Sequence, residues 1–434
     1  MTFVSILARS SAALAHAAAL VVLALQPSTA ECQELGSLLA QRVAQTLESV
    51  SPAPTRTRDV SRPTWTWLQF QVRDETYPLT IDVVGSSVTP ATKVMYMLPG
   101  GSTNFAGSYF TPNDRNLAQF FCEKGYLVVG VSPREDSVPS SVTSYRFMEQ
   151  WGLEKHSADV RSIVTRLQAA LALPYELLGH SYGAITALDY AARYSDAVVP
   201  ERVIALDIYS LDVRAQPSAR EDAVRTYQAH VQLMQRGEYV DNDYALLIPV
   251  KALAQATPSF ESGVSRTDHG HSGTFTVEGL LFATMIDASQ LAGNHTAITG
   301  LPGDWLLVKG VLAGRYVFAD AAREDRYAFT RTRFPTFFAT VDAVGSGLIA
   351  VALERDVWAL TAGDPAYALD WSAIRQPVIW INTEYGYGPH RFGAQLIREA
   401  GNANVVDNVL AGYGHGDILW AETARFDVWE QLVQ

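Results

Sequence analysis

Cysteine is scarce: Cys32 and Cys122 are the only two in 434 residues. That excludes a disulfide framework and allows at most one bridge, in an oxidising compartment; otherwise both are free thiols. Runs of Lys or Arg are missing too, and 33 basic against 45 acidic residues leave a net charge of −12. A chain of that balance is set aside as a partner for nucleic acid or for anionic membrane surfaces. Charged residues are few, 18% against 48% hydrophobic, so the chain is too apolar for a disordered protein and long enough for a large core. No internal repeat or low-complexity tract interrupts it. One long apolar run occurs, "AALAHAAALVVLAL" in the first thirty residues. It is shorter than the ~20 residues a membrane span needs, and His16 breaks it. With Arg9 ahead of it and the small residues "STA" ending at Ala30, residues 1–30 read as a secretory signal peptide cut near Ala30. The expected product is a secreted or periplasmic protein without a stable membrane span. Glu31 before Cys32 does not suit lipid attachment.

Beyond the leader, residues 31–63 read as an N-terminal extension: helix-like "ELGSLLAQRVAQTLESV", then the Pro-, Ser- and Arg-rich "SPAPTRTRDVSRP". The alternating runs "TWTWLQFQV" and "YPLTIDVV" predict an antiparallel edge pair. From residue 92 the pattern changes. Strand "KVMYML", helix "NLAQFFCEKGY", strand "LVVGVS", a helix with Val160, Ile163, Val164, Leu167 and Leu171 on one face, and strand "YELLG" follow in turn. That alternation demands a parallel sheet covered on both faces. A helix with Ala184, Ala187, Leu188 and Ala191 on one side comes next, and "RVIALDIY" returns as a strand. The rhythm then stops until "QPVIWIN", "HRFGAQLIREAG", "NVVDNVLAG" and a final amphipathic "ARFDVWEQLVQ". We read a mostly parallel, doubly wound α/β core, residues 64–212 and 376–434, interrupted late by a large helical cap, residues 213–375. The cap carries aromatic clusters such as "FPTFFATV" and "RYVFADAA".

One short stretch carries chemistry. In "LLGHSYGAITAL", Gly179-x-Ser181-x-Gly183 lies between an apolar strand and a helix. Glycines there permit a turn so tight that Ser181 is thrust to the top of the sheet, with the helix N-terminus favouring nearby negative charge. The bland alternative is a serine that merely caps the helix. A serine hydroxyl is a weak nucleophile until a base takes its proton. "LAGYGHGDIL", after the last strand, offers His415, with Gly412, Gly414 and Gly416 giving the loop freedom to reach across. His390 comes one element too early, and His180 is inside the turn itself. Backbone donors for an oxyanion are expected at the N–H of Tyr182, after the nucleophile, and at Gly101 in the loop Pro99-Gly100-Gly101-Ser102.

Together these residues resemble the α/β-hydrolase superfamily, serine esterase and lipase type, over most of residues 64–434 outside the insert. "QPVIWINTEY" and "VIALDIY" are similar to segments of the platelet-activating-factor acetylhydrolases, which lack so long an insert. The resemblance implies an α/β-hydrolase fold and hydrolysis of carboxylic esters through an acyl-enzyme. No metal or organic cofactor is called for. The substrate it implies is a small-molecule or lipid-like ester, with an apolar acyl group suggested by the aromatic cap. The commonest place for the triad acid, just past "PVIWIN", holds Gly386. Three carboxylates remain open: Asp207, where the acetylhydrolases carry their acid; Glu384, two residues before Gly386; and Asp212. Two other readings stand beside the esterase: a serine peptidase of the same fold, favoured by cap carboxylates placed to hold an amine, and a non-catalytic binding protein. Asp268, His269 and His271 lack a further ligand at metal-binding spacing, and Asn294 fits a glycosylation sequon that short patterns produce by chance.

Overall fold

Runs of six or seven apolar residues have to be covered on both faces, and helices from two sides of one sheet do so here. A computed structural model describes residues 34–49, 53–73, 75–194, 199–208, 211–214, 217–241, 247–286 and 310–434. Residues 1–30, the expected signal peptide, Cys32 and Asn294 lie outside them. Nine strands form the main sheet: β1 (Thr55–Ser61), β2 (Trp65–Val72), β3 (Leu79–Ser86), β4 (Lys93–Leu98), β5 (Tyr126–Ser132), β6 (Tyr175–His180), β7 (Val203–Leu206), β8 (Val378–Thr383) and β9 (Val405–Leu410). Their order is β1-β2-β3-β5-β4-β6-β7-β8-β9. The six strands from β5 to β9 in that order are mutually parallel, and β1, β2 and β3 add antiparallel to one side. Every residue of β3, β5, β6 and β7 is buried. A fold of the α/β-hydrolase type has this sheet, so the expected architecture is observed.

The sheet starts earlier than the alternation suggested. β2 and β3 do pair antiparallel, but β1, inside the expected extension, pairs along β2 from Thr55↔Gln71 to Ser61↔Thr66 and becomes the edge. Its sequence carries no apolar stripe because most of it faces solvent. Instead Arg56 and Arg58 lie over the Phe70 and Trp67 rings, a charged edge that discourages pairing with another chain. Helix α1 (Gly36–Glu48) covers β3 at very short range. A Cβ on Gly85 would sit 2.1 Å from the Gly36 carbonyl oxygen, so this contact requires glycine.

Helix α2 (Leu153–Leu171) turns Val160, Ile163, Val164, Leu167 and Leu171 inward as its periodicity predicts. Helix α3 (Tyr182–Arg193) differs: all of Tyr182–Ala191 is buried, polar residues included. It lies between β4, β6 and β7 on one side and α2 on the other, so one apolar face is not enough. Cys122 is a buried, free thiol; its Sγ donates to the Val84 carbonyl at 3.4 Å, and burial pushes its pKa up to about 12.

The insert is less purely helical than expected. Besides helices α4 (Pro217–Gln235) and α5 (Val351–Ala362) and three shorter ones, its described residues hold three two-stranded antiparallel pairs. Its aromatic residues form a core of their own: Phe275, Phe282 and Tyr316 are fully buried, and Phe282 stacks on Phe329 at 4.2 Å between ring centroids. Residues Leu35–Gln434 make one compact unit, insert included. Among the described residues no helix is long and apolar enough to cross a membrane.

Candidate active site

Strand β6 runs into α3 through Ser181, whose backbone sits at φ 57°, ψ −125°. A non-glycine residue there costs roughly 1–3 kcal/mol and persists only where the surroundings impose it. Here they do. A Cβ on Gly179 would lie 2.1 Å from the Gly183 carbonyl oxygen, and one on Gly183 would lie 2.0 Å from that of Leu98, so both must be glycine for the turn to close. Ser181 N donates to Leu206 O at 3.0 Å. The Ser181 hydroxyl makes no capping bond to the helix, which removes the cap reading.

His415 reaches the same end of the sheet from the loop after β9. The ring of His180, the residue before the serine, lies 4.2 Å from the His415 ring, and its Nε2 donates to the His415 backbone carbonyl at 2.9 Å. Burial, with the neighbouring His415, holds the His180 pKa well below the usual histidine range. A neutral His180 has one N–H, and this bond fixes where it is. The sequence singled out His180 only to discard it as a base; its part here is to seat the histidine loop against the turn. His390 stacks on Phe392 instead.

Of the three carboxylates left open by the sequence, Asp207 is the one bonded to His415, Oδ2 to Nδ1 at 2.6 Å. It is fully buried, and its own backbone is in the left-handed region at φ 40°. Oδ1 accepts the Thr383 amide at 2.7 Å, and the Tyr387 amide approaches both oxygens at 3.4 Å. Those amides come from the last residue of β8 and from the loop after it, the place where the commonest triad acid would fall. Gly386 in that loop explains the exchange: a Cβ there would fall 2.0 Å from Asp207 Oδ2. The usual acid position has become the space that the Asp207 carboxylate occupies. Glu384 turns away, accepting the Gly412 amide at 2.7 Å, and Asp212 pairs with Arg214 at 2.6 Å.

The glycines of the histidine loop serve close approach more than freedom. Gly412 does sit at φ 69°. A Cβ on Gly414 would come within 2.6 Å of the Leu312 backbone, however, and one on Gly416 within 2.2 Å of the Trp420 ring. The loop is also bonded to the insert, His415 N to Gly310 O at 3.0 Å and Gly416 N to Val311 O at 2.7 Å.

Pro99-Gly100-Gly101-Ser102 lies directly over the turn. A Cβ on Gly100 would be 3.0 Å from that of Ser181, and one on Gly101 would be 2.4 Å from the Tyr182 ring. Asn104 anchors this loop, accepting the Gly107 amide at 2.9 Å and donating to Asp136 and to Ala343 O. The Tyr182 hydroxyl donates to buried Glu354 of the insert at 3.3 Å. Glu354 in turn faces His230 at 3.4 Å, and although burial works the other way, that carboxylate raises the His230 pKa. For a metal, no group of three or more His, Cys, Asp or Glu comes together among the described residues; His269 and His271 stack on Phe318.

No known family model and no curated protein sequence matches this chain. Solved structures do. A protein described as a putative lipase from Sulfolobus solfataricus aligns over 87% of this chain and 97% of its own at 16% identity, with a TM-score of 0.57. A carboxyl esterase from Bacillus coagulans aligns over 86% and 97% at 14% identity, TM-score 0.41. A bromoperoxidase from Bacillus anthracis aligns over 84% and 97% at 11% identity, TM-score 0.44. Likeness at such identities is a likeness of fold.

Proposed function

We propose that this chain, an α/β-hydrolase in fold, cleaves carboxylic esters through a covalent acyl-enzyme. The observation that carries the reading is the 2.6 Å bond from Asp207 Oδ2 to His415 Nδ1, beside a serine held in a strained, uncapped turn. An imidazole bonded at Nδ1 to a carboxylate has Nε2 as its basic atom. In the proposed reaction His415 Nε2 takes the Ser181 proton as Oγ bonds to the ester carbonyl carbon. The backbone N–H groups of Gly101 and Tyr182 receive the oxyanion. The C–O bond to the alcohol then breaks, and the alcohol leaves with the proton from Nε2. Water, deprotonated by the same nitrogen, releases the acid and restores Ser181. The chain's own residues suffice for these steps.

Three further points belong to the same proposal. Export as a secreted or periplasmic protein rests on residues 1–30. The peptidase reading needs an insert carboxylate open to an amine; Glu354 accepts the Tyr182 hydroxyl through Oε1, while its buried Oε2 faces His230 at 3.4 Å without a hydrogen bond. The aromatic residues of the insert pack on one another, so they supply no argument for a long acyl chain. The test is turnover of p-nitrophenyl esters from acetate to laurate by the purified protein and by Ser181→Ala. Turnover by the wild type alone is expected, and the rank order gives the acyl preference. Failure of every ester, together with no reaction toward fluorophosphonates, would promote the binding reading.

A further inference from the structure

The carboxylate two residues past His415 is as buried as Asp207 and takes no part in the reaction above. Asp417 joins three stretches of chain. Its Oδ2 accepts the Ala313 amide at 2.7 Å and the Gly414 amide at 2.9 Å, and its Oδ1 accepts the Thr332 hydroxyl at 2.6 Å. Ala313 and Thr332 belong to the insert, and Gly414 belongs to the histidine loop. The backbone N–H of His415 bonds to Gly310 O, and that of the next residue, Gly416, to Val311 O. Both amides fall on Oδ2 and the Thr332 hydroxyl on Oδ1, so an ionised carboxylate accepts all three donors.

We propose that Asp417 is a positioning residue: its carboxylate ties the His415 loop to the insert, so that the imidazole nitrogen opposite Asp207 is directed towards Ser181 and the insert serves as framework for the base as well as cover. The proposal rests on the serine-hydrolase reading above. Burial pushes the Asp417 pKa up to about 6, against the pull of its three donors and of Arg331. Arg331 comes from the insert, where its guanidinium donates to Gly412 O at 3.1 Å and lies 3.6 Å from Asp427 of the C-terminal segment. Protonation of Asp417 on the acid side would remove the charge on which both amides and the Thr332 hydroxyl converge.

The experiment uses the full chain and its variants Asp417→Asn and Thr332→Val, with p-nitrophenyl butyrate across pH and with fluorophosphonate labelling. Displacing a base by about 1 Å costs on the order of 100-fold. For Asp417→Asn we expect kcat lower by about that factor, KM within about threefold, and the part of the acid-side fall in kcat centred near pH 6 to be lost. Thr332→Val, which keeps both amide donors, should lose about tenfold in kcat by the same mechanism. Either variant with kcat within about twofold of wild type, or a loss that follows melting temperature with an unchanged acid limb, overturns the proposal. If Asp417→Asn does not fold, Thr332→Val decides on the same terms. A wild-type chain that neither turns over nor labels would bring down the serine-hydrolase reading itself, and this proposal with it; active variants beside an active wild type would bring down this proposal alone.

Discussion

Ser181 and His415 are held in opposite ways. The serine's geometry is enforced by its immediate neighbours: Gly179 and Gly183, two positions to either side, admit a turn that the adjoining strand and loop then close. The histidine is positioned from far away, by Asp207 at 208 residues' separation, by His180 at 235 and by the insert segment around Gly310. A nucleophile can thus be written into a dozen residues, whereas its base is a property of the whole fold. Substitutions at the two ends should fail differently.

The largest effect is expected for Ser181→Ala, which removes the nucleophile and should lower kcat by about 10⁶-fold while leaving the melting temperature near that of wild type. Asp207→Asn comes next. It keeps the shape of the contact but allows the wrong histidine tautomer, and about 10⁴-fold should be lost from kcat at neutral pH with little change in KM. Gly386→Ala tests the exchange of positions described above. Its methyl must push the Asp207 carboxylate off His415, and a loss of about 100-fold in kcat is expected; wild-type turnover would show that the acid does not need that space.

The strand-and-helix frame gives a contrasting outcome. His156 of α2 is paired with Glu135 at 3.0 Å, and although burial works to lower its pKa, that carboxylate raises it to about 9. A histidine whose pKa is raised on folding stabilises fully below its unfolded value of about 6.5, and that contribution, on the order of 3 kcal/mol, is lost as pH rises through about 9. Melting temperature should therefore fall between these limits in wild type. In Glu135→Gln that dependence should vanish with kcat unchanged. A dependence that survives would reassign the pair. Smallest of all is Glu384→Gln: its carboxylate, among the described residues, holds the Gly412 amide alone, and kcat should stay within about threefold of wild type. A loss to match Asp207→Asn would reverse the assignment of the acid.

What was legible in the sequence follows the same division. The elbow, α2 and the buried strands could be read because their constraints are local: spacing, periodicity and runs of apolar residues. His415 followed from its place after the last strand. Asp207 was one of three choices, since a carboxylate's partner is a tertiary fact, although Gly386 at the usual position was a signal that the acid comes from elsewhere. β1 escaped because an edge strand with charged faces has no apolar alternation. Gly414 and Gly416 suggest freedom in the sequence, whereas the folded chain uses them for close contact with Leu312 and Trp420. The hairpins of the insert and the bonds of Asp417 left no pattern at all, because each depends on segments brought together only by folding.

The most direct measurement is the site and rate of fluorophosphonate modification, read by peptide mass mapping of the wild type and of His415→Ala. One adduct per chain is expected, on the peptide that carries Ser181, with its formation slowed by orders of magnitude when the imidazole is removed. An adduct on another residue, or labelling that proceeds unchanged without His415, would contradict it.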